Sequence, residues 1–164
     1  MSGTTRNLAL LALLIFVVDQ ATKLWIIEEL GLAHRLRIDV WPGFVTFVMA
    51  WNRGINFGVL SSDLPLMRWF LAALAAAISA GVAVWALRRR ERWFTIGSGF
   101  LIGGALGNAV DRVRYGAVAD FLNVTCCGFV NPYAFNVADI AIFGGAIILA
   151  FAPAPQQQNA PRCR

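Results

Sequence analysis

Charge is scarce in this chain: 14% of its 164 residues are Asp, Glu, Lys or Arg, against 59% hydrophobic. That balance excludes an ordinary soluble domain. Histidine is scarcer still, with His34 alone, which rules out any two-histidine zinc motif. The three cysteines, Cys126, Cys127 and Cys163, make neither a disulfide framework nor a metal-ligand spacing. Phosphate loops, dinucleotide fingerprints, haem attachment motifs and internal repeats are all absent. Ser98 sits between two glycines like a hydrolase elbow, but the only His is expected across the membrane from it. Neither a cofactor nor a metal is expected.

What the chain does have is long apolar runs. Mean hydropathy is +0.65, and several stretches approach or exceed the roughly 18–20 residues that span a bilayer core. The expected architecture is a mainly α membrane protein, a four-transmembrane-helix bundle with a small extracytoplasmic β-sheet between helices 1 and 2. Its spans are expected at about 7–27, 66–87, 93–112 and 135–151 in a single membrane domain, 1–152, with a disordered cytoplasmic tail at 153–164. The first span is too long for a signal-peptide core, and no small-residue cleavage site follows it. A net charge of +5 would suggest nucleic acid in a soluble chain, yet four of the fourteen basic residues crowd into Arg88–Arg92 beside a span. The positive-inside rule puts this short loop and both termini in the cytoplasm, and no nucleic-acid partner is expected.

Segments 28–65 and 113–134 then lie outside. Within the first, Ile38–Asn52 is rich in Val, Phe, Trp and Ile, alternates through Phe44–Met49 and carries the turn signal Pro42-Gly43, which predicts a hairpin or small sheet resting on the bilayer surface. Asn52-Arg53-Gly54-Ile55-Asn56-Phe57-Gly58 follows, a donor-rich loop with unusual backbone freedom.

Polar residues inside apolar spans are costly and call for partners. Asn108, Asp111 and Arg112 share one face of the third span, while Gly99, Gly103 and Gly107 form a stripe that admits another helix closely. Asp19 and Lys23 stand at i and i+4, the favourable order for an ion pair. Asp111 has Arg112 as its neighbouring cation. Asp120 and Asp139 have no such local partner, and the topology brings both to the outer mouth of the bundle. Two carboxylates sharing one water cannot readily both ionise, so one holds a proton while the other activates the water for amide hydrolysis. The start of the fourth helix favours charge on Asp139. Intramembrane acids also build proton relays, so a proton-coupled transporter or channel stays open beside a hydrolase. A bundle merely glued by polar contacts is a third reading.

Five blocks in order carry a specific resemblance: Asp19-Gln20-Ala21-Thr22-Lys23; Asn52 to Gly58 as written above; Gly103-Gly104-Ala105-Leu106-Gly107-Asn108-Ala109-Val110-Asp111-Arg112; Val118-Ala119-Asp120-Phe121; and Phe135-Asn136-Val137-Ala138-Asp139. Together they resemble the lipoprotein signal peptidases, signal peptidase II. The resemblance implies an aspartyl endopeptidase of the bacterial inner membrane that cuts diacylglyceryl-modified prolipoproteins just before the lipidated Cys. It implies Asp120 and Asp139 as the catalytic dyad, supported by Asp19, Lys23, Asn52, Gly54, Asn108, Asp111, Arg112 and Asn136, with no metal. Membrane lipids and globomycin-type inhibitors are the other expected partners, and a monomer is the expected state. Arg53, Ile55 and Asn56 depart from the family's usual small residues, and Ala119 replaces a common Val. On this reading the substrate unwinds into a mouth between the third and fourth spans. Asn52, Asn108, Arg112 and Asn136 would meet its freed backbone there, under a flap at Gly54–Gly58.

Overall fold

The computed structural model describes residues 3–54, 65–125 and 131–153. Ile55–Gly58 of the expected flap, all three cysteines and residues 154–164 of the expected tail lie outside the described residues. Helix α1 (Gly3–Leu24) runs into a π-helical turn, Trp25–Glu29, and a short α2 (Leu32–Arg35). Strands β1 (Arg37–Trp41) and β2 (Val45–Asn52) follow, then α3 (Pro65–Arg89), α4 (Arg92–Tyr115), β3 (Val118–Val124) and α5 (Val137–Ala150).

Among the described residues, three stretches are long and apolar enough to cross a membrane: Gly3–Glu29, Leu66–Arg89 and Arg92–Tyr115. The apolar α5 has 14 residues, which at 1.5 Å per residue reach about 21 Å, short of a core of roughly 30 Å. Helix α4 is the axle, with α1, α3 and α5 all packed on it. Its glycine stripe faces α1: a Cβ on Gly103 would stand 2.5 Å from Ala12 O, and one on Gly99 2.8 Å from Leu11. A second set faces α5, where a Cβ on Gly104 would meet Ala138 O at 2.5 Å. Leu8, Ala86 and Ile102 form the buried core where α1, α3 and α4 meet.

The hairpin is present, with Phe44 N donating to Trp41 O at 2.9 Å across a turn in which Gly43 takes φ +82°. The sheet differs from expectation in its third strand. It runs β1-β2-β3, antiparallel throughout, and β3 comes from the outside segment after α4, where no strand is expected from the sequence. Gly116, at φ +78°, ends α4 by donating to Arg112 O and turns the chain directly into that strand. The underside of the sheet packs on the π-turn and α2 through Ile26, Leu32 and Phe121, with Phe47 edge-on to Phe121 at 5.8 Å.

Candidate active site

Asp120 and Asp139 reach one place from two elements. Asp120 pairs with Ala50 across the β2–β3 ladder, so Asn52, two residues along β2, is on the same face and donates to Asp120 Oδ2 at 3.2 Å. Beyond β3 the chain returns, and Phe135 pairs with Leu122 through backbone bonds of 2.8 and 3.0 Å. That bridge sets the start of α5 beside Asp120. Asn136 caps α5: its Oδ1 accepts from Asp139 N at 2.9 Å, while Asp139 Oδ2 accepts from Asn136 N at 3.3 Å.

The amides of Asn108 and Asn136 tie the two acids together. Asn136 Nδ2 donates to Asp120 Oδ1 at 2.7 Å, and also to Ala119 O and Asn108 Oδ1. Asn108 Nδ2 donates to Asp139 Oδ1 at 2.9 Å. Asn136 is fully buried and Asn108 nearly so. Both amides thus bind the protein's own groups and orient the two acids. Asn52 lines the cavity described below. Arg112 Nη1 donates to Asn108 O at 3.1 Å, and its buried Nε has no hydrogen-bond partner among the described residues.

A second cluster braces the first. Lys23 Nζ lies 2.8 Å from Asp19 Oδ2 and 2.6 Å from Asp111 Oδ2, and both carboxylates are completely buried. Asp111 therefore pairs with Lys23 of another helix, not with Arg112. Adjacent residues on a helix point about 100° apart, so their proximity in sequence brings no contact. Gln20, missed as a site residue, donates to Asp19 Oδ2, Asp111 Oδ1 and Gly107 O. Both carboxylates also bind backbone: Asp19 Oδ1 accepts from Ala138 N at 2.9 Å, and Asp111 Oδ2 from Ala119 N at 3.3 Å. Ala138 immediately precedes Asp139, and Ala119 immediately precedes Asp120. Each acid at the cavity is thus preceded by a residue pinned to the ionic cluster. Gly107 leaves room for this, since a Cβ there would lie 2.5 Å from Asp19 Oδ2.

The two acids open onto a cavity of about 660 Å³ lined by Asn52, Asp120, Phe135, Asp139, Phe143 and Ile147, among others. It runs along the outward face of α5. No α4 residue lines it, so the mouth is not between the third and fourth spans; those helices are locked together by Gly97, Gly104 and Gly145. The apolar wall has a signal in the sequence, because 139, 143 and 147 recur every fourth residue on one helical face. Gly54 sits at the end of β2, where its N–H donates to Asn52 Oδ1 at 3.3 Å. Burial, reinforced by the nearby Asp139 carboxylate, pushes Asp120 from the ordinary 3.8 up to about 7. Hydrogen bonds from Asn52 and Asn136, and the Lys23 charge, pull the other way. Near neutral pH Asp120 can therefore hold or release a proton beside Asp139, a condition for acid–base chemistry on a water.

Comparison with known proteins points one way. The sequence model described as "Signal peptidase (SPase) II" matches residues 11–153. The lipoprotein signal peptidase of Nitrobacter hamburgensis is 42% identical over 138 residues, covering 82% of this chain and 84% of that one. That of Methylorubrum extorquens is 41% identical over 158 residues, 94% of this chain and 88% of the relative. A bacterial membrane enzyme solved by the in meso method superposes with a TM-score of 0.72 at 26% identity, over 93% of this chain and 88% of that chain.

Proposed function

Since the chain belongs to the signal peptidase II family, we propose that it is an aspartyl endopeptidase of the bacterial inner membrane. It removes signal peptides from diacylglyceryl-modified prolipoproteins, cutting just before the lipidated Cys. The observation that carries the mechanism is that Asp120 and Asp139 line one cavity, with Asp120 raised to about 7. Asp139, in the first turn of α5, acts as the base, because the helix N-terminus favours its negative charge. It takes a proton from water as the water oxygen attacks the scissile carbonyl, and Asp120 gives its proton to the carbonyl oxygen. When the C–N bond breaks, Asp139 returns its proton to the leaving nitrogen and Asp120 recovers its own from the collapsing diol.

The remaining residues frame this step. Asn108 and Asn136 orient the acids, and Asp19, Lys23 and Asp111 hold the backbone behind them. Asn52, which lines the cavity, meets the substrate's unwound backbone, while Arg112 braces the backbone at Asn108 O and Gly54 ties the end of β2 to Asn52. Phe143, Ile147 and the exposed face of α5 receive the apolar part of the substrate. We further propose that α5 is a fourth, short span in a single membrane domain of residues 1–152. The Arg88–Arg92 turn and both termini face the cytoplasm, and the acids face the periplasm. The protein works as a monomer among membrane lipids and is blocked by globomycin-type inhibitors.

The test is incubation of the purified chain with a lipidated and an unlipidated precursor, alongside Asp120→Asn and Asp139→Asn. Cleavage of the lipidated precursor alone is expected, falling at least about 10²-fold in each variant with thermal unfolding retained. Transport activity in liposomes without cleavage favours the proton-coupled transporter instead.

A further inference from the structure

At the far end of the bundle, a second cavity of about 310 Å³ is lined by Thr4, Asn7 and Leu11 of α1 and by Arg90, Arg92, Thr95 and Ile96 around the α3–α4 turn. Arg92 and Asp111 are separated by about 28 Å along α4 at 1.5 Å per residue, so this cavity is remote from the acids. Its composition is one-sided: two guanidinium groups and three neutral polar side chains stand over an apolar floor of Leu11 and Ile96, and no carboxylate lines it. Neither Arg90 nor Arg92 has a carboxylate partner among the described residues. The turn that presents them is tightly set. Arg90 takes a left-handed φ of +57° and donates its N–H to Ala86 O at 3.0 Å, while both the N–H and the hydroxyl of Thr95 bond Glu91 O at 2.9 Å. Alongside the cavity, α1 exposes Leu10, Leu13 and Leu14, in a helix apolar enough to face lipid.

We propose that this cavity binds the phosphate of an anionic phospholipid from the leaflet at that end. Arg90 and Arg92 bind the phosphate oxygens, for which the guanidinium fork is well matched. Thr4 and Asn7 reach the glycerol or headgroup hydroxyls, and an acyl chain lies along the leucines of α1. A soluble anion would use the arginines but gain nothing from the leucine face, which is why a lipid is the assigned occupant. The site is independent of the peptidase chemistry, and its test does not use cleavage.

The full chain in detergent is titrated with phosphatidylglycerol, phosphatidylcholine and soluble glycerol 3-phosphate, reading bound molecules by native mass spectrometry and thermal unfolding alongside. Phosphatidylglycerol alone is expected to be retained and to raise the unfolding temperature. Losing two basic contacts, Arg90→Gln/Arg92→Gln weakens retention about 30-fold. Arg92→Gln alone, which leaves the strained Arg90 untouched, weakens it about 5-fold and serves if the double variant does not fold. Arg6→Gln/Arg88→Gln removes the same charge outside the cavity and is expected to bind normally. Equal loss in that pair, equal retention of phosphatidylcholine, or equal binding of glycerol 3-phosphate overturns the proposal.

Discussion

Replacing Lys23 with Met keeps a similar volume and apolar stem while removing the ammonium that sits 2.8 Å from Asp19 and 2.6 Å from Asp111. All three side chains are at most 3% exposed, so solvent cannot screen what is left: two facing carboxylates with no countercharge. Breaking a buried pair from one side costs about 3–5 kcal/mol, because the surviving charge stays desolvated. For a chain of this size each kcal/mol moves the midpoint by roughly 2–4 °C, so the unfolding temperature should drop by roughly 6–20 °C. Cleavage should suffer less when assayed well below that midpoint, since Lys23 reaches the acids indirectly, through Asp19 and Asp111, which hold Ala138 and Ala119, through a 3.3 Å hydrogen bond to Asn108 Oδ1, and through its charge. The measurement is thermal unfolding in detergent paired with turnover of a lipidated precursor across temperature. Adding Asp111→Asn to Lys23→Met removes one of the opposed charges, and the double variant should be more stable than the sum of the single losses by roughly 0.5–3 kcal/mol. An unchanged midpoint with lost turnover refutes this reasoning, because it moves the ammonium out of the frame and into the chemistry.

Asp120 should impose a pH limit: with its value raised to about 7, turnover should fall as pH rises through that value and the proton donor is lost, which a rate–pH profile checks. The same shift has a stability sign. The folded state keeps a proton that the unfolded chain releases above 3.8, so stability declines between about pH 4 and pH 7, and Asp120→Asn should flatten that slope in unfolding measurements. Gly104→Ala drives a methyl to within 2.5 Å of Ala138 O, prising α5 from α4 next to Asp139; a loss of about 1–3 kcal/mol with reduced turnover is expected in denaturant titrations. Cleavage should survive EDTA, because two acids at one cavity activate water without a metal; inactivation reversed by added zinc overturns this.

Much of the frame was legible because it obeys local periodicity. The Asp19–Lys23 spacing, the glycine stripe and the Pro42-Gly43 turn each declare a geometry within a few residues, and the ion pair, the α1–α4 contact and the hairpin follow from them. Strand β3 was not legible for a physical reason. Val118–Val124 is buried at its start by the helices and sheet around it, so it lacks the alternation that marks a half-exposed strand. The cavity's position was lost likewise, since glycines on two faces of α4 look alike in sequence. Only their partners show that one set takes α1 and the other takes α5, closing the route expected between α4 and α5.

The same residue type does two jobs here, and burial sorts them. Asp19 and Asp111 are sealed, share one lysine as their countercharge and are saturated by Gln20 and two backbone amides. With every oxygen engaged and no exposed surface, they suit fixing backbone and little else. Asp120 and Asp139 are held by neutral amides instead, and they meet open space. A neutral donor orients a carboxylate without compelling it to stay ionised, so a proton can come and go as turnover requires. Moving Lys23 from the frame to the cavity would lock both acids in their charged form. Its distance from them is therefore as much a part of the design as the contacts it makes.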